Sequence, residues 1–146
     1  GFESIDIKLD IPDGEVFFNF DRRLISQALI NLIKNSSESI FLLHKNDNSG
    51  VINISLDNKP DYVSIKIADN GTGFPKSDMD KLLEPYYTTR EMGTGIGLSV
   101  VKNIIEVHKG ELNLRNNTMS DKKISGAIVE IILPKSLDSN SEKIND

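Results

Sequence analysis

The feature that most constrains this chain is that its strands follow one another with few helices between them. Apolar and polar residues alternate over residues 5–11, with Ile5, Ile7, Leu9 and Ile11 on one face and Asp6, Lys8 and Asp10 on the other. That pattern predicts a strand half-buried on one side. Pro12-Asp13-Gly14 is a turn, and residues 16–20 read as a second, short strand. The β-rich runs 51–56 and 62–67 are separated only by the turn at 58–61 and read as a hairpin. Residues 111–115 and 127–133 give the last two strands, ended by Pro134.

Only two long segments carry helical period. Asp21 suits the N-cap of a helix from Arg22 to about His44, with Leu24, Ile25, Ala28, Leu29, Leu32, Ile33 and Ile40 as its core stripe. A second helix is expected from about Ile96 to His108, with Ile96, Val100, Val101, Ile104 and Ile105 inward and Gly110 as its C-terminal cap. A short third helix is expected over residues 77–83. The order β-β-α-β-β-loop-α-β-β is not an alternating βαβ pattern. It predicts a two-layer α/β sandwich, a mixed and mostly antiparallel sheet covered by about three helices.

The 146 residues amount to one domain, expected over residues 1–135, followed by a polar tail at 136–146 expected to be disordered. The absence of cysteine excludes disulfides and thiolate metal sites. His44 and His108 have no metal-ligand spacing and fall at helix ends, His44 read as a solvated or dipole-favoured cap and His108 as a position favouring a cation. A net charge of −5 and a pI near 5.1 argue against a nucleic-acid surface. No apolar run approaches the roughly 18 residues of a membrane span. The segment reads as cytoplasmic, with any membrane anchor of a longer parent lying outside it.

Four clusters carry candidate chemistry. Asn31 and Asn35 share one face of the first helix. Turning about 100° per residue from Leu24 places Ala28 near ~40° and Asn35 near ~20°, inside the apolar arc. A buried amide there is either satisfied by a loop backbone or held for a ligand. Asp69-Asn70-Gly71-Thr72-Gly73 leaves a strand directly, as a simple turn or as a place where backbone approaches a ligand and the carboxylate accepts from an exocyclic amine. Gly93-Thr94-Gly95-Ile96-Gly97-Leu98 opens the second helix, as a flexible entry or a phosphate cradle; its spacing is neither a P-loop nor GxGxxG. Between them, Glu84-Pro85-Tyr86-Tyr87-Thr88-Thr89-Arg90 is either a surface loop with packed aromatics or a set of donors for a terminal phosphate. Together the four clusters are more specific than any one of them, because they occur in this order within about 70 residues.

That order closely resembles the ATP-binding domain of sensor histidine kinases, in the superfamily shared with gyrase and the heat-shock chaperone ATPases, whose shared architecture is the Bergerat fold. Residues 27–36 resemble its N-box, 67–75 its first glycine box, 83–90 its phenylalanine box and 93–99 its second glycine box. The wording Glu-Pro-Tyr-Tyr-Thr-Thr-Arg, closely followed by Gly-Thr-Gly, is similar to the nitrogen-regulation type. The resemblance implies ATP and Mg²⁺ as ligands, with Asn35 on the metal and Asn31 helping to hold the phosphates. It implies Asp69 reading the adenine amine, Gly71 and Gly73 letting the base pocket close, and Phe74 lining the base or anchoring a lid formed by residues 74–93. It gives Thr88, Thr89 and Arg90 to the γ-phosphate, and Gly93, Thr94, Gly95, Gly97 and Leu98 to the triphosphate. Some positions depart from the family's usual residues: Ser36 stands for Ala, Tyr86 and Tyr87 for a Phe pair, Lys109 for the first of two glycines, and Ala127 for a Thr that supports adenine through water.

The implied activity is transfer of the γ-phosphate to a histidine on a separate dimerisation domain, with a response regulator downstream. Neither His44 nor His108 fits the acceptor role, so this chain alone is expected to bind ATP, to remain monomeric and not to autophosphorylate, whereas its parent is expected to be a homodimer. The rival readings are a hydrolytic ATPase, an anti-sigma-type serine kinase and a non-catalytic interaction domain. The hydrolytic relatives place Glu at the position of Asn31 to activate water, and an amide is no general base.

Overall fold

The computed structural model describes residues 5–45, 48–75, 81–84, 97–121 and 123–135. Among these, the chain forms β1 (Asp6–Asp10), α1 (Arg22–His44), β2 (Val51–Asn58), β3 (Tyr62–Asp69), α2 (Gly97–Val107), β4 (Glu111–Thr118) and β5 (Ile124–Pro134). The strands make one sheet in the order β1-β2-β3-β5-β4. β1 runs parallel to β2, and the other three pairings are antiparallel, including the expected β2–β3 hairpin. A parallel neighbour requires a crossover, and α1 supplies it. The result is the expected two-layer sandwich with a mixed, mostly antiparallel sheet. Of the short helix expected over 77–83, residues 77–80 lie outside the described residues, and 81–84 form one turn closed by Glu84 N–H donating to the Lys81 carbonyl.

The core is a layer of aliphatic side chains between the two helices and the sheet. Ile67 stands opposite Ile54 and Val129, and Ile65 opposite Leu56 and Ile131. Ile25, Ala28, Leu32 and Ile40 of α1 and Val101, Ile104 and Ile105 of α2 close over them, all at 5% exposure or less. Each branched side chain so buried contributes about 1.5–3 kcal/mol. Ile96, expected to join them, lies outside the described residues. Asp69 is next in the alternation of Ile65 and Ile67. Its carboxylate therefore enters on the helix side of the sheet, at the end of a core-facing row.

The helix ends follow from local chemistry. The Asp21 carboxylate accepts the Leu24 N–H at 3.0 Å, the expected N-cap. At the end of α2 the left-handed residue is Lys109 (φ 59°) rather than the expected Gly110. Lys109 N–H donates to Glu106 O and Gly110 N–H to Ile105 O, both at 2.9 Å, the hydrogen-bond pair of a Schellman ending with Gly110 one position later. His108 is buried rather than a solvated cation. Its Nδ1 lies 2.8 Å from the Ile104 carbonyl and its Nε2 accepts the Asp21 N–H at 2.9 Å. A carbonyl can only accept and a backbone N–H only donate, so the ring is the neutral Nδ1–H tautomer. It clips the start of α1 to the end of α2.

Two expectations about the first strands are corrected. All five residues of β1 are exposed, with Ile7 and Leu9 at 50% and 64%. The apolar face exists, but β1 is an edge strand, and the main helix contacts fall on β2, β3 and β4. Residues 16–20 belong to no strand or helix. Val16 and Phe18 pack on the core, Phe18 stacks on Phe20 with centroids 4.6 Å apart, and Phe17 is 78% exposed. The expected second strand at 16–20 is therefore not formed. The tail at 136–146 lies outside the described residues.

Candidate functional site

A pocket of about 310 Å³, counting its open mouth, lies between the inner face of α1, the start of α2 and the ends of β3 and β5. Its walls are Leu32, Asn35, Ser36 and Ser39 from α1, Asp69 from β3, Gly73 and Phe74 from the following loop, Leu98 from α2, and Ala127 and Val129 from β5. The helical period places Leu32, Asn35, Ser36 and Ser39 on one face of α1, at spacings of three and four.

One end of the pocket is built around Asp69, which is 8% exposed. Its Oδ1 accepts the Gly71 N–H at 2.9 Å and the Ala127 N–H at 3.3 Å. These bonds fix the carboxylate between the first glycine loop and β5. The loop must pass very close to both neighbours. A Cβ on Gly71 would stand 2.4 Å from Ser39 Oγ and 2.7 Å from its carbonyl carbon, so only glycine fits there. Gly126, at φ +133°, lies against the Asp69 backbone, where a Cβ would meet the Asp69 carbonyl oxygen at 1.8 Å.

Three side chains hold the loop from three sides. Asn70 Oδ1 accepts the Val51 N–H and Asn70 Nδ2 donates to Ser49 O, each at 2.8 Å. Ser39 Oγ accepts the Thr72 N–H at 2.9 Å and lies 3.0 Å from the Thr72 hydroxyl. Asn116 reaches from β4 with its amide doubly engaged: Oδ1 accepts the Phe74 N–H at 2.7 Å and Nδ2 donates to the Phe74 carbonyl at 2.8 Å. His44 adds a fourth contact, with Nε2 donating to the Asn70 carbonyl at 2.8 Å and Nδ1 paired with Ser49 Oγ at 2.8 Å. It is half-buried in this bridge rather than solvated, while its place in the last turn of α1 is the dipole-favoured one.

The other end is the corner where α1 meets the start of α2. A Cβ built on Gly97 would lie 3.5 Å from both amide atoms of Asn35, so the amide sits directly against the first residue of α2. The first-turn N–H groups of a helix lack intrahelical acceptors and carry the positive end of its dipole. An oxygen and an amide from Asn35, beside such N–H groups, suit a phosphate and the hard cation that accompanies it. Among the described residues no group of three or more His, Cys, Asp or Glu could hold a metal alone.

Of the residues singled out from the sequence, Asn35, Asp69, Gly73, Phe74 and Leu98 meet in this pocket, with Gly71 and Gly97 immediately behind its walls. Asn31 is half-buried one turn before Asn35 and is not in the wall. Thr88, Thr89, Arg90, Gly93, Thr94 and Gly95 lie outside the described residues, as do Tyr86, Tyr87 and most of the expected lid. Sequence reasoning missed Ser39, Asn116 and Gly126. The signal for Asn116 was available: it takes the inward place after Leu112 and Leu114 on β4, a polar residue in an apolar alternation.

Comparison with known proteins agrees with the fold. A family described as histidine kinase-, DNA gyrase B-, and HSP90-like ATPase matches residues 20–137. The nitrogen regulation protein NtrY of Azorhizobium caulinodans is 46% identical over 98 residues, 66% of this chain and 13% of that protein. The NtrY-like sensor histidine kinase of Rickettsia conorii is 38% identical over 128 residues, 87% of this chain and 20% of that protein. The chain thus spans a fifth or less of the length of these relatives. The nucleotide-free catalytic domain of histidine kinase ThkA superposes with a TM-score of 0.77 at 28% identity, covering 92% of this chain and 82% of that one. With the match running through α1, the pocket and β5, the chain belongs to the histidine kinase-, DNA gyrase B- and HSP90-like ATPase family, among the catalytic domains of sensor histidine kinases.

Proposed function

We propose that the pocket binds Mg-ATP with adenine at the Asp69 end and the phosphates at the Asn35 corner, and that the γ-phosphate passes to a histidine on a separate dimerisation domain. The observation that carries this reading is the division of the pocket. A fixed carboxylate stands at one end, and an amide against a helix N-terminus stands at the other. The first suits an exocyclic amine, which donates; the second suits an anion. Residues 1–135 are the functional unit in this reading, and a response regulator takes the phosphate onward.

Asn35 would hold Mg²⁺, which when bound would supply charge neutralisation for the phosphates. The chain's own part is binding and positioning: Asp69 orients the base and the first turn of α2 receives the phosphates, while the resemblance gives the terminal group to Thr88, Thr89 and Arg90, which lie outside the described residues. The resemblance gives Gly93, Thr94 and Gly95, which lie outside the described residues, to the triphosphate as well. Asn31 cannot take a proton from water, which favours transfer to an incoming imidazole over hydrolysis. The test mixes the chain with a separately prepared histidine-bearing dimerisation domain of an NtrY-type kinase and γ-labelled ATP. Label on that domain supports the kinase reading. Steady phosphate release without label, from a chain that binds ATP, replaces it with a hydrolase.

A further inference from the structure

Two serines of α1 line the pocket, Ser36 and Ser39, at 5% and 3% exposure. Their hydroxyls are treated differently by the fold. Ser39 Oγ is spent on the first glycine loop, accepting the Thr72 N–H and pairing with the Thr72 hydroxyl. Ser36 makes no hydrogen bond to any described residue. The usual refuge of a helical serine is the carbonyl four residues back. Ser37, its immediate neighbour, takes that refuge, donating to the Ile33 carbonyl at 2.8 Å; Ser36 does not take the equivalent bond to Leu32. A hydroxyl buried without a partner costs on the order of 1–3 kcal/mol. No buried polar atom of the described residues is both sealed from solvent and unpartnered, so the Ser36 oxygen keeps its access through the pocket it lines.

Of the other polar side chains in the wall, Ser39 is spent on the glycine loop, Asn35 stands at the α2 corner and Asp69 is an acceptor. Leu32, Ala127 and Val129 are aliphatic, and Ala127 gives Asp69 only its backbone N–H. A purine seated with its 6-amino group on Asp69 has an acceptor nitrogen, N1, adjacent to that amine. N1 needs a donor, and Asp69 as a carboxylate has none to give. We propose that the Ser36 hydroxyl is a base-recognition group of this pocket, donating to adenine N1 directly or through one ordered water, so that Asp69 and Ser36 together read the amine–acceptor edge. This rests on the nucleotide reading above and adds to it a specificity-determining residue. It makes Ser36 more than the small substitution for Ala that its sequence suggests.

The test is a cycle of two proteins and two nucleotides: wild type and Ser36→Ala, each titrated calorimetrically with Mg-ATP and with Mg-1-deaza-ATP, which lacks the N1 acceptor. Alanine is a better helix former than serine and removes an unpartnered hydroxyl, so the variant folds; a thermal melt of the free protein checks this. Ser36→Ala is expected to weaken ATP by about 3- to 10-fold, the worth of one neutral hydrogen bond, and to leave 1-deaza-ATP unchanged. Equal ATP affinity of the two proteins overturns the role of Ser36 and leaves the nucleotide reading standing. Equal weakening of both nucleotides also overturns it, since the hydroxyl then acts on something other than N1. Failure of folded wild type to bind ATP overturns the nucleotide reading itself and this inference with it.

Discussion

The two ends of the pocket are built in opposite ways. At the Asp69 end, the loop of residues 70–75 is tied to its surroundings by Asn70, Ser39, Asn116 and His44, and glycines hold its backbone against α1 and β5. At the other end, the Asn35 amide sits directly against the first residue of α2, at a helix terminus. A flat, uncharged base needs a surface preformed to its outline, because its few hydrogen bonds are weak and depend on geometry. A polyphosphate brings charge, which acts over longer range and is recognised by dipoles and a cation. The pocket invests its fixed structure where recognition depends on shape.

That contrast predicts which variants lose stability as well as affinity. The largest effect belongs to Asp69→Asn. It removes the charge from two backbone hydrogen bonds and places an amide where the ligand amine needs an acceptor, so ATP affinity falls by about 100-fold. Titration of the two proteins checks this, and a loss under 3-fold would break the assignment of the base end. Next is Asn116→Ala, which strips both partners from the Phe74 backbone and lowers the unfolding free energy by about 2–3 kcal/mol in denaturant melts without nucleotide. Ser39→Ala frees the Thr72 N–H and costs about 1 kcal/mol in the same melts. The smallest effect is at the edge of the sheet. Leu9→Lys changes stability by no more than about 0.5 kcal/mol, because the side chain is already 64% exposed.

The same contrast marks what could be read from the sequence. α1 was legible to the residue at its start, because Asp21 caps it and apolar positions recur with helical period through Ile40. Asp69 was legible as a site residue because two glycines follow a strand end, a local signal. The ties that hold its loop were not, because Asn116 acts 42 residues away from Phe74 and Ser39 acts 33 residues away from Thr72. The polar break at Asn116 is a local signal, but its partner and that of Ser39 are set by how β4 and α1 pack on the loop, which no local pattern encodes. The exposure of β1 was hidden for a related reason: alternation tells which face is apolar, but not whether a second layer reaches it. Lys109 in a left-handed conformation also ran against composition, since glycine follows it directly.

The division of labour between Asp69 and Asn35 can be read from calorimetric titration of wild type, Asn35→Ala and Asp69→Asn with adenosine and with a non-hydrolysable ATP analogue, with and without Mg²⁺. Asn35→Ala is expected to abolish the gain from Mg²⁺ and weaken the analogue by about 10-fold while leaving adenosine unchanged, and Asp69→Asn to weaken both ligands. Loss of adenosine binding in Asn35→Ala, or an undiminished response to Mg²⁺ in that variant, would contradict it.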